Sequence, residues 1–396
     1  MKKKIAILGS TGSIGKTLLN IIEKDRQNFE IVLLAANKNH KLLLKQAKKY
    51  KVKNLIISNL KSYKHIIKNK KKLKIKVFNN FNYFNKIFKK KIDYSMSAIT
   101  GIDGLIPTLK IIKYTKNIAI ANKESIICGW SLIKKELDKH KTNFIPVDSE
   151  HFSLWFALKG SGSNNIEKIF ITASGGPFYK FSLNKIFTAK ISDALNHPNW
   201  KMGKKISIDS ATMINKVYEV IEAKNIFEIP FKKIEILTHP KSYIHAIIKF
   251  NNGLIKLIAH ETTMKIPIFN SLFSSGYKKL ESKKLNLKTL NNLDFQNVDL
   301  KKYPMVKLLK HLPIKQSLYE TVIVSANDTL VSLYLKKKIK FHEINEKLFK
   351  ILKLKEFNKF KNIFPRNSRD IIELNNYVRL KILKTVYKSQ NNDNFI

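Results

Sequence analysis

The start of the chain constrains the fold more than any other segment. An apolar run at residues 5–8 leads into the glycine-rich turn Gly-Ser-Thr-Gly-Ser-Ile-Gly at 9–15, after which apolar residues such as Leu18 and Ile22 recur at helical spacing. Strand, glycine-rich turn and helix in this order are typical of a dinucleotide-binding domain, in which the backbone approaches a pyrophosphate and the helix N-terminus supplies N–H donors. The spacing is a variant of the commonest one, so an ordinary strand–helix turn is the alternative.

The residues after the second predicted strand, at 31–36, bear on the choice of cofactor. A fold that binds NAD usually carries an acid there for the ribose 2′-hydroxyl. This chain has Asn37, Lys38 and Asn39 instead. A cation among amides suits a 2′-phosphate, so the sequence favours NADPH over NADH.

Two further predicted strands, at 94–99 and 117–121, continue the α/β pattern. Asn122, Lys123 and Glu124 follow the second of them. Ligands of an open parallel sheet bind outside the carboxyl ends of its strands, so these side chains are ligand candidates. A solvated lysine is the alternative.

Two acids, two residues apart, follow the next apolar run at 144–145. If that run continues as a strand, its period-2 alternation places Asp148 and Glu150 on one face. Neighbouring carboxylates repel each other, and a cation that prefers oxygen ligands, Mg²⁺ or Mn²⁺, would offset the repulsion. Two solvated loop acids are the alternative.

Two loops in the middle of the chain have compositions typical of ligand contacts. Ser174 follows a predicted strand at 169–173 and precedes two glycines, which suits either an anion contact or a tight turn. The segment His-Pro-Asn-Trp-Lys-Met-Gly at 197–203 has neither helical nor strand periodicity. It is typical of a lid that closes over a ligand, or of a surface loop anchored by a buried Trp200.

A polar cluster lies at residues 206–223. Ser210 is predicted to cap a helix that begins just after it, and Asn215 and Glu219, four residues apart, share a face of that helix. A helix N-terminus, a serine, an amide and Lys216 would form a phosphate cradle, with Glu219 facing a metal. An amphipathic helix with solvated polar groups is the alternative.

The rest of the chain is read as strands followed by helices. Strands are predicted at 234–238, 244–250 and 254–258, antiparallel to one another, with a hairpin at 251–253. Residues 280–302 are polar and form a predicted linker; helical patterns follow at 305–311, 316–336, 341–353 and 368–389, and the second contains Ser-Ala-Asn-Asp at 325–328. His239, His245 and His260 match no zinc-site spacing, so packing or hydrogen-bonding roles are expected.

The charge balance is extreme, with 75 Lys and Arg against 29 Asp and Glu and a formal net charge of +46. Nucleic-acid binding would be the first explanation, but only four of the basic residues are Arg, the residue that bidentate recognition favours. Because the lysines are spread along the whole chain, we expect no specific nucleic-acid partner and a preference for anionic substrates such as phosphorylated metabolites. A single cysteine and the lack of an apolar stretch near the roughly 20 residues of a membrane span predict a cytoplasmic protein without a membrane contact.

Seven motifs together resemble one family, 1-deoxy-D-xylulose 5-phosphate reductoisomerase of the non-mevalonate isoprenoid pathway. They are GSTGSIG at 9–15, ANKES at 121–125, PVDSEH at 146–151, SGGPF at 174–178, HPNWKMG at 197–203, KISIDSATMINK at 205–216 and HP at 239–240. They lie in the family's order, over residues 5 to about 330. The resemblance implies an α/β protein with an N-terminal Rossmann-like NADPH domain at 1–147, a central α/β catalytic domain at 148–279 with a closing lid at about 174–204, a linker at 280–302 and a C-terminal helical domain at 303–396.

The resemblance also implies a set of site residues. Asp148, Glu150 and Glu219 would hold Mg²⁺ or Mn²⁺. NADPH would contact Thr11, Gly12, Ser13 and Ile14 through its pyrophosphate, and Asn37, Lys38, Asn39, Asn122, Glu124 and Gly203 elsewhere. The substrate would contact Lys123, Ser149, Ser174, His197, Ser210, Asn215 and Lys216, beneath a lid that includes Trp200 and Met202. The expected enzyme is a homodimer that rearranges its substrate to an aldehyde and reduces this with NADPH to 2-C-methyl-D-erythritol 4-phosphate.

Three departures from the family's pattern remove none of the proposed metal or phosphate ligands. Val217 and Asn37 stand where the family usually has glycine, and residues 260–265 differ from the usual G-x-P-D-M-R, with Lys265 in place of arginine. Two alternatives stay open on the sequence: another NADP-dependent oxidoreductase that shares the Rossmann half, and a basic nucleic-acid-binding protein.

Overall fold

The computed structural model describes residues 1–68, 75–160, 165–273 and 278–392, and the chain divides into two compact units. The first consists of Met1–Ser125, Ser131–Phe152 and Thr263–Lys283, and the second of Ile126–Trp130, Ser153–Thr262 and Lys284–Ile396. Both units are discontinuous in sequence, whereas the predicted domains are contiguous, and the predicted domain boundaries stay a prediction. Among the described residues, none of the helices has both the length and the apolar character needed to cross a membrane.

The first unit is built on a seven-stranded parallel sheet. Its strands are β1 (Lys3–Leu8), β2 (Phe29–Ala36), β3 (Asn54–Ile57), β4 (Lys76–Phe78), β5 (Ile92–Ser97), β6 (Thr115–Ile120) and β7 (Asn143–Pro146). They lie in the order β4-β3-β2-β1-β5-β6-β7, and every pairing is parallel. Residues 5–8 of β1 are fully buried, because a parallel strand covered on both faces needs apolar side chains on both.

Helices connect these strands in the alternating pattern that the sequence predicts. They are α1 (Ser13–Glu23), α2 (His40–Tyr50), α3 (Leu60–Lys68), α4 (Phe84–Ile87), α5 (Leu105–Ile112) and α6 (Lys123–His140), and α7 (Ser149–Ala157) begins at the end of this unit. The strand order reverses between β1 and β5, and the crevice at such a switch point is where open α/β sheets bind ligands. The glycine-rich turn leaves β1 at this position, so the Rossmann-like fold predicted for the N-terminal part is confirmed.

The second unit contains a five-stranded mixed sheet. Its strands are β8 (Ile166–Ala173), β9 (Ile234–Thr238), β10 (Ile244–Phe250), β11 (Ile255–Ala259) and β12 (Gln296–Asn297), in the order β11-β10-β8-β9-β12. The hairpin between β10 and β11 is confirmed. β9 and β10 run antiparallel, as predicted, but they are not neighbours: β9 pairs parallel with β8, and β10 pairs antiparallel with the other side of β8.

The helices of the second unit cover this sheet and form the C-terminal part. They are α8 (Leu183–Phe187), α9 (Ile191–Leu195), α10 (Lys204–Ala211), α11 (Ile214–Phe227), α13 (Leu287–Leu290), α14 (Tyr319–Leu335), α15 (Phe341–Lys353), α16 (Lys355–Asn358) and α17 (Ser368–Asn392); α12 (Lys265–Leu272) belongs to the first unit. Pro304–His311 is a 3₁₀-helix. Apolar residues of α11 such as Val220 pack with Ile169, Ile171, Ile236 and Ile248 of the sheet. α14 is buried on nearly all sides and packs against α15 and α17, and its buried residues include polar ones as well as apolar ones.

The helix predicted to begin just after Ser210 starts at Ile214 instead, and a separate helix precedes it. α10 ends at Ala211 and α11 begins at Ile214, and Met213 between them is in the left-handed region, with φ at 65°. Ser210 therefore lies in the last turn of α10 and does not cap the following helix, which corrects that prediction. Asn215 and Glu219 do share a face of α11, where the Asn215 amide donates to the Glu219 carboxylate.

Candidate active site

The glycine-rich turn lies against the ends of β2 and β5, the two strands that flank β1. Gly9 has φ at 90°, and a Cβ at this position would lie 2.5 Å from the carbonyl oxygen of Ala98, so a residue with a side chain would be both strained and obstructed. The N–H groups of Gly9 and Ser10 both donate to Ala35 O, at 2.9 Å each. The backbone of the turn is therefore fixed before any ligand binds.

The start of α1 is suited to an anion. The N-cap of this helix is Gly12, which has no side chain that could occupy the helix end, and the first turn contains no acid. Gly12 and Ser13 are exposed, and Thr11 and Ile14 are half-buried. The Gly12 N–H already donates to Gly9 O at 3.1 Å. The N–H groups that begin α1, at Ser13 and Ile14, and the positive end of the helix dipole fit the pyrophosphate of a dinucleotide.

A residue that the sequence did not single out supports this turn. Gln46 of α2 is buried, and its amide makes two hydrogen bonds with Ser10: Ser10 Oγ donates to Gln46 Oε1 at 2.8 Å, and Gln46 Nε2 donates to Ser10 O at 2.9 Å. A glutamine that follows apolar positions on a helix carries no local signal of such a contact, so only the tertiary structure reveals it.

The residues predicted to select NADPH lie at the carboxyl end of β2, the strand next to β1. Asn37, Lys38 and Asn39 are all exposed. Asn39 caps α2 by accepting from Leu42 N at 3.2 Å, and Lys38 O accepts from Ser62 Oγ at 3.0 Å. The backbone of this segment is therefore anchored, while the side chains of Asn37 and Lys38 are at the surface.

Asn122 joins the ends of β5 and β6. Its side-chain nitrogen donates to Gly101 O at 2.9 Å and also to Ile99 O, and its Oδ1 accepts from Ser125 N at 2.6 Å as the N-cap of α6. This capping places Lys123 and Glu124 in the first turn of α6, where both side chains are buried.

Asp148 and Glu150 do not lie on a strand, so the prediction that strand alternation places them on one face was wrong. β7 ends at Pro146, which cannot donate to a further ladder hydrogen bond, and α7 begins at Ser149. Asp148 is the residue before α7: its carbonyl accepts from Phe152 N at 2.7 Å and its carboxylate accepts from Ser149 N at 3.1 Å. Glu150 lies in the first helical turn, where a negative charge is favourable.

Positive charge surrounds Asp148 within the first unit. Lys123 Nζ lies 3.0 Å from Asp148 Oδ2, and His151 Nδ1 lies 3.6 Å from the same oxygen. Burial alone would raise the pKa of Asp148, but the Lys123 ammonium and, after it, His151 hold that pKa well below its usual range. Asp148 is therefore ionised at neutral pH. Next to it, Ser149 Oγ donates to Glu150 Oε2 at 2.6 Å.

A second group of predicted residues meets in the second unit. Ser174 at the end of β8, Ser210 of α10, and Asn215 and Lys216 of α11 line one small pocket. Two hydroxyls, an amide and an ammonium are the donors that a phosphate group requires. The structure therefore brings together four residues that are up to 42 positions apart in the sequence.

Lys216 and Glu219 form a buried ion pair beside this pocket. Lys216 Nζ lies 2.6 Å from Glu219 Oε2, while the Asn215 amide donates to the other carboxylate oxygen. Glu219 is 1% exposed, and these two partners help to replace the hydration that its carboxylate loses on burial. Tyr303, which the sequence did not single out, supports the opposite side by donating to Gly175 O at 2.7 Å.

His197 connects the pocket to the predicted lid, and its hydrogen bonds determine its tautomer. Nδ1 accepts from Asn199 N at 3.2 Å and from Trp200 N at 3.0 Å, so Nε2 carries the proton and donates to Ser174 Oγ at 3.1 Å. Burial and, after it, the charge of Lys216 lower the pKa of His197 to about 4. The neutral imidazole is therefore the form present at pH 7.

The segment at 197–203 is anchored at its start and open at its end. Asn199 Nδ2 donates to Pro240 O at 2.6 Å and to Ser242 Oγ at 3.0 Å, and the Trp200 ring meets the His245 ring edge-on at 6.1 Å. Met202 is half-buried and Gly203 is exposed. The closing motion of this segment stays a prediction.

The three histidines near these strands have the packing and hydrogen-bonding roles that were expected. His239 Nδ1 donates to Asp294 O at 2.8 Å, and its ring stacks on Phe295. The His245 and His260 rings stack with centroids 3.7 Å apart, and His245 Nε2 lies 3.2 Å from His260 O.

Comparison with known proteins identifies the family. Three family profiles match the chain: one described as 1-deoxy-D-xylulose 5-phosphate reductoisomerase at residues 5–129, its C-terminal domain at 144–227, and the DXP reductoisomerase C-terminal domain at 260–381. A 1-deoxy-D-xylulose 5-phosphate reductoisomerase from Pelagibacter ubique is 60% identical over 382 residues, which cover 96% of this chain and 98% of the relative. The chain belongs to the 1-deoxy-D-xylulose 5-phosphate reductoisomerase family.

Other reductoisomerases match over nearly the same length. A relative from Sulfurihydrogenibium is 36% identical over 91% of this chain and 93% of its own. The structure of the Zymomonas mobilis reductoisomerase in complex with NADPH is 30% identical and covers 98% of this chain and 99% of its own, with a TM-score of 0.86. A reductoisomerase in complex with NADPH, fosmidomycin and magnesium covers the same shares, with 29% identity and a TM-score of 0.90. The family resemblance and the fold class predicted from the sequence are thereby confirmed.

Proposed function

We propose that this reductoisomerase converts 1-deoxy-D-xylulose 5-phosphate to 2-C-methyl-D-erythritol 4-phosphate, with NADPH and a divalent cation as cofactors. The observation that carries the proposal is the pocket of Ser174, Ser210, Asn215 and Lys216, because it presents phosphate donors built from two of the family's motifs. The Rossmann-like unit with its open helix N-terminus supports the dinucleotide. Relatives bound to NADPH, and to NADPH with magnesium, point to the same cofactors.

NADPH fits the first unit. Its pyrophosphate would lie on Thr11, Gly12, Ser13 and Ile14, since the turn is pre-formed and its donor end is open. Asn37, Lys38 and Asn39 would contact the adenosine 2′-phosphate end. Further cofactor contacts are proposed for Asn122, Glu124 and Gly203.

A divalent cation fits the carboxylates Asp148, Glu150 and Glu219, which we propose as its ligands. Carboxylate oxygens are the donors that Mg²⁺ and Mn²⁺ prefer, and Asp148 is ionised at neutral pH because of its cationic neighbours. When bound, the cation would supply Lewis-acid polarisation of the substrate oxygens.

The remaining residues would bind and enclose the sugar. The substrate phosphate would occupy the pocket in the second unit, and Lys123, Ser149 and His197 would contact the sugar oxygens. Trp200 and Met202 would close over the bound substrate and exclude water from the aldehyde. Neutral His197 can donate one hydrogen bond through Nε2 without adding a positive charge.

The reaction balances without a further reactant. One carbon–carbon bond of the ketose phosphate breaks and another forms, by a retro-aldol and aldol sequence, which gives a branched aldehyde of the same composition. NADPH then delivers a hydride to the aldehyde carbon, the oxygen takes up a proton, and NADP⁺ is released. We further propose that the protein acts as a homodimer in the cytoplasm.

The proposal is tested by NADPH oxidation in the presence of 1-deoxy-D-xylulose 5-phosphate and Mg²⁺. Oxidation should stop when a chelator is added and resume when excess Mg²⁺ is restored. A folded sample that does not oxidise NADPH would overturn the proposal, and activity that survives complete chelation would favour a different NADP-dependent oxidoreductase.

A further inference from the structure

The central helix of the second unit carries a buried amide that the proposed function does not use. Asn327 lies in the middle of α14 and is fully buried. A buried amide without hydrogen bonds is costly, so the group that it contacts indicates its role.

That group is Asp209 on α10. Asn327 Nδ2 donates to Asp209 Oδ1 at 2.8 Å. Lys205 Nζ lies 3.2 Å from Asp209 Oδ2 and 2.9 Å from Asp328 Oδ1. Asp209 is 2% exposed, and both of its oxygens are thus linked to α14, one directly and the other through Lys205.

The position of Asp209 sets the direction of its neighbour. α10 has only eight residues, and successive residues of a helix are about 100° apart. The rotation of α10 that points Asp209 at α14 therefore also determines where Ser210 points, and Ser210 lines the phosphate pocket. On the other side, a Cβ on Gly176, which has φ at 64°, would lie 2.7 Å from Ser210 O, so the backbone of Ser210 has little room to shift.

We propose that Asn327 is a positioning residue for substrate binding, acting through Asp209 to hold Ser210 in the phosphate pocket. This inference rests on the proposed function of that pocket. It gives α14 an indirect part in substrate affinity, although α14 contributes no residue to the pocket lining.

The test replaces Asn327 by leucine, which has a similar size but cannot donate. The matched control is Thr329→Ala on the same helix, since the Thr329 hydroxyl donates to Ser325 O within α14. We expect Asn327→Leu to raise the KM for 1-deoxy-D-xylulose 5-phosphate about tenfold, within the range by which a misplacement of about 1 Å weakens catalysis. The Kd for NADPH should not change, and the control should change neither constant.

Two further measurements separate positioning from stability. The double variant Asp209→Asn/Asn327→Asp exchanges donor and acceptor and should recover substrate affinity, whereas a loss of stability alone would lower the melting temperature without changing KM in folded samples. Binding of inorganic phosphate, measured by calorimetry, should weaken in Asn327→Leu and does not depend on turnover. An unchanged phosphate affinity in a folded Asn327→Leu sample, or a wild-type chain that binds no phosphate, would overturn the inference; wild-type binding of phosphate without turnover would overturn only the proposed reaction.

Discussion

His197 is expected to titrate near pH 4, well below the ordinary histidine pKa of 6.5. Protonation at Nδ1 would place a new N–H group against the two backbone N–H groups that now donate to this atom. Burial is the larger cause of the low pKa and the positive charge of Lys216 is the smaller. The perturbation that separates these causes is Lys216→Met.

The shift in the pKa of His197 that Lys216→Met should cause has an upper limit. The ordinary pKa of 6.5 and the value of about 4 differ by about 2.5. Because burial remains in the variant, Lys216→Met should recover less than half of this difference, so His197 should then titrate no higher than about 5. Since the pKa is lowered on folding, this group's contribution to stability is present above pH 6.5 and is lost as the pH falls toward 4.

The assay is an NMR titration of protein labelled at the histidine ring carbons. His197→Gln identifies the resonance of His197 among the ten histidines. Lys201→Met is the matched control, because Lys201 lies in the same segment but is exposed and should leave the titration unchanged. A wild-type midpoint near 6.5, or a complete return to 6.5 in Lys216→Met, would refute the reasoning.

Three other perturbations have definite expected outcomes. Gln46→Leu removes both hydrogen bonds to Ser10 and should raise the Kd for NADPH about tenfold in a fluorescence titration, with kcat at saturating NADPH unchanged; an unchanged Kd would contradict the support role. Burial raises the pKa of Glu320 to about 7, so the free energy of unfolding should fall by about 3 kcal/mol as the pH rises from 4.5 to 7. Glu320→Gln should therefore raise the melting temperature at pH 8 and not at pH 4. An equal rise at the two pH values would contradict a raised pKa of Glu320. Asp148→Asn and Glu219→Gln should each abolish turnover while the Kd for NADPH stays within about twofold, because neither carboxylate is proposed to contact the cofactor; retained turnover in both would exclude them as metal ligands.

The sequence predicts the first unit well because its signals are local. A buried parallel strand needs a continuous apolar run, and the glycine-rich turn requires Gly9 at a left-handed φ. Residues 5–15 of the sequence show both features. The position of Lys123 at the carboxyl end of a strand follows from the same alternation of strand and helix. The family resemblance, rather than the acid pair itself, is what led from Asp148 to a metal site.

The predictions that failed required information that is not local. Strand alternation was assigned to Asp148 and Glu150 from two residues, whereas the chain turns into α7 after Pro146. β9 and β10 run antiparallel as predicted, but β8 lies between them, and no local pattern in the sequence indicates that placement. The same holds for Gln46 and Asn327, whose partners lie 36 and 118 residues away.

The most direct test of the central claim is the carbon skeleton of the product. Purified protein is incubated with 1-deoxy-D-xylulose 5-phosphate, NADPH and Mg²⁺, and the methyl proton signal of the product is recorded by NMR. The proposed rearrangement places the methyl group on a carbon without hydrogen, so the signal should be a singlet and should be absent when a chelator is present. A doublet, which is the result of simple reduction of the ketone, would contradict the assignment as a reductoisomerase.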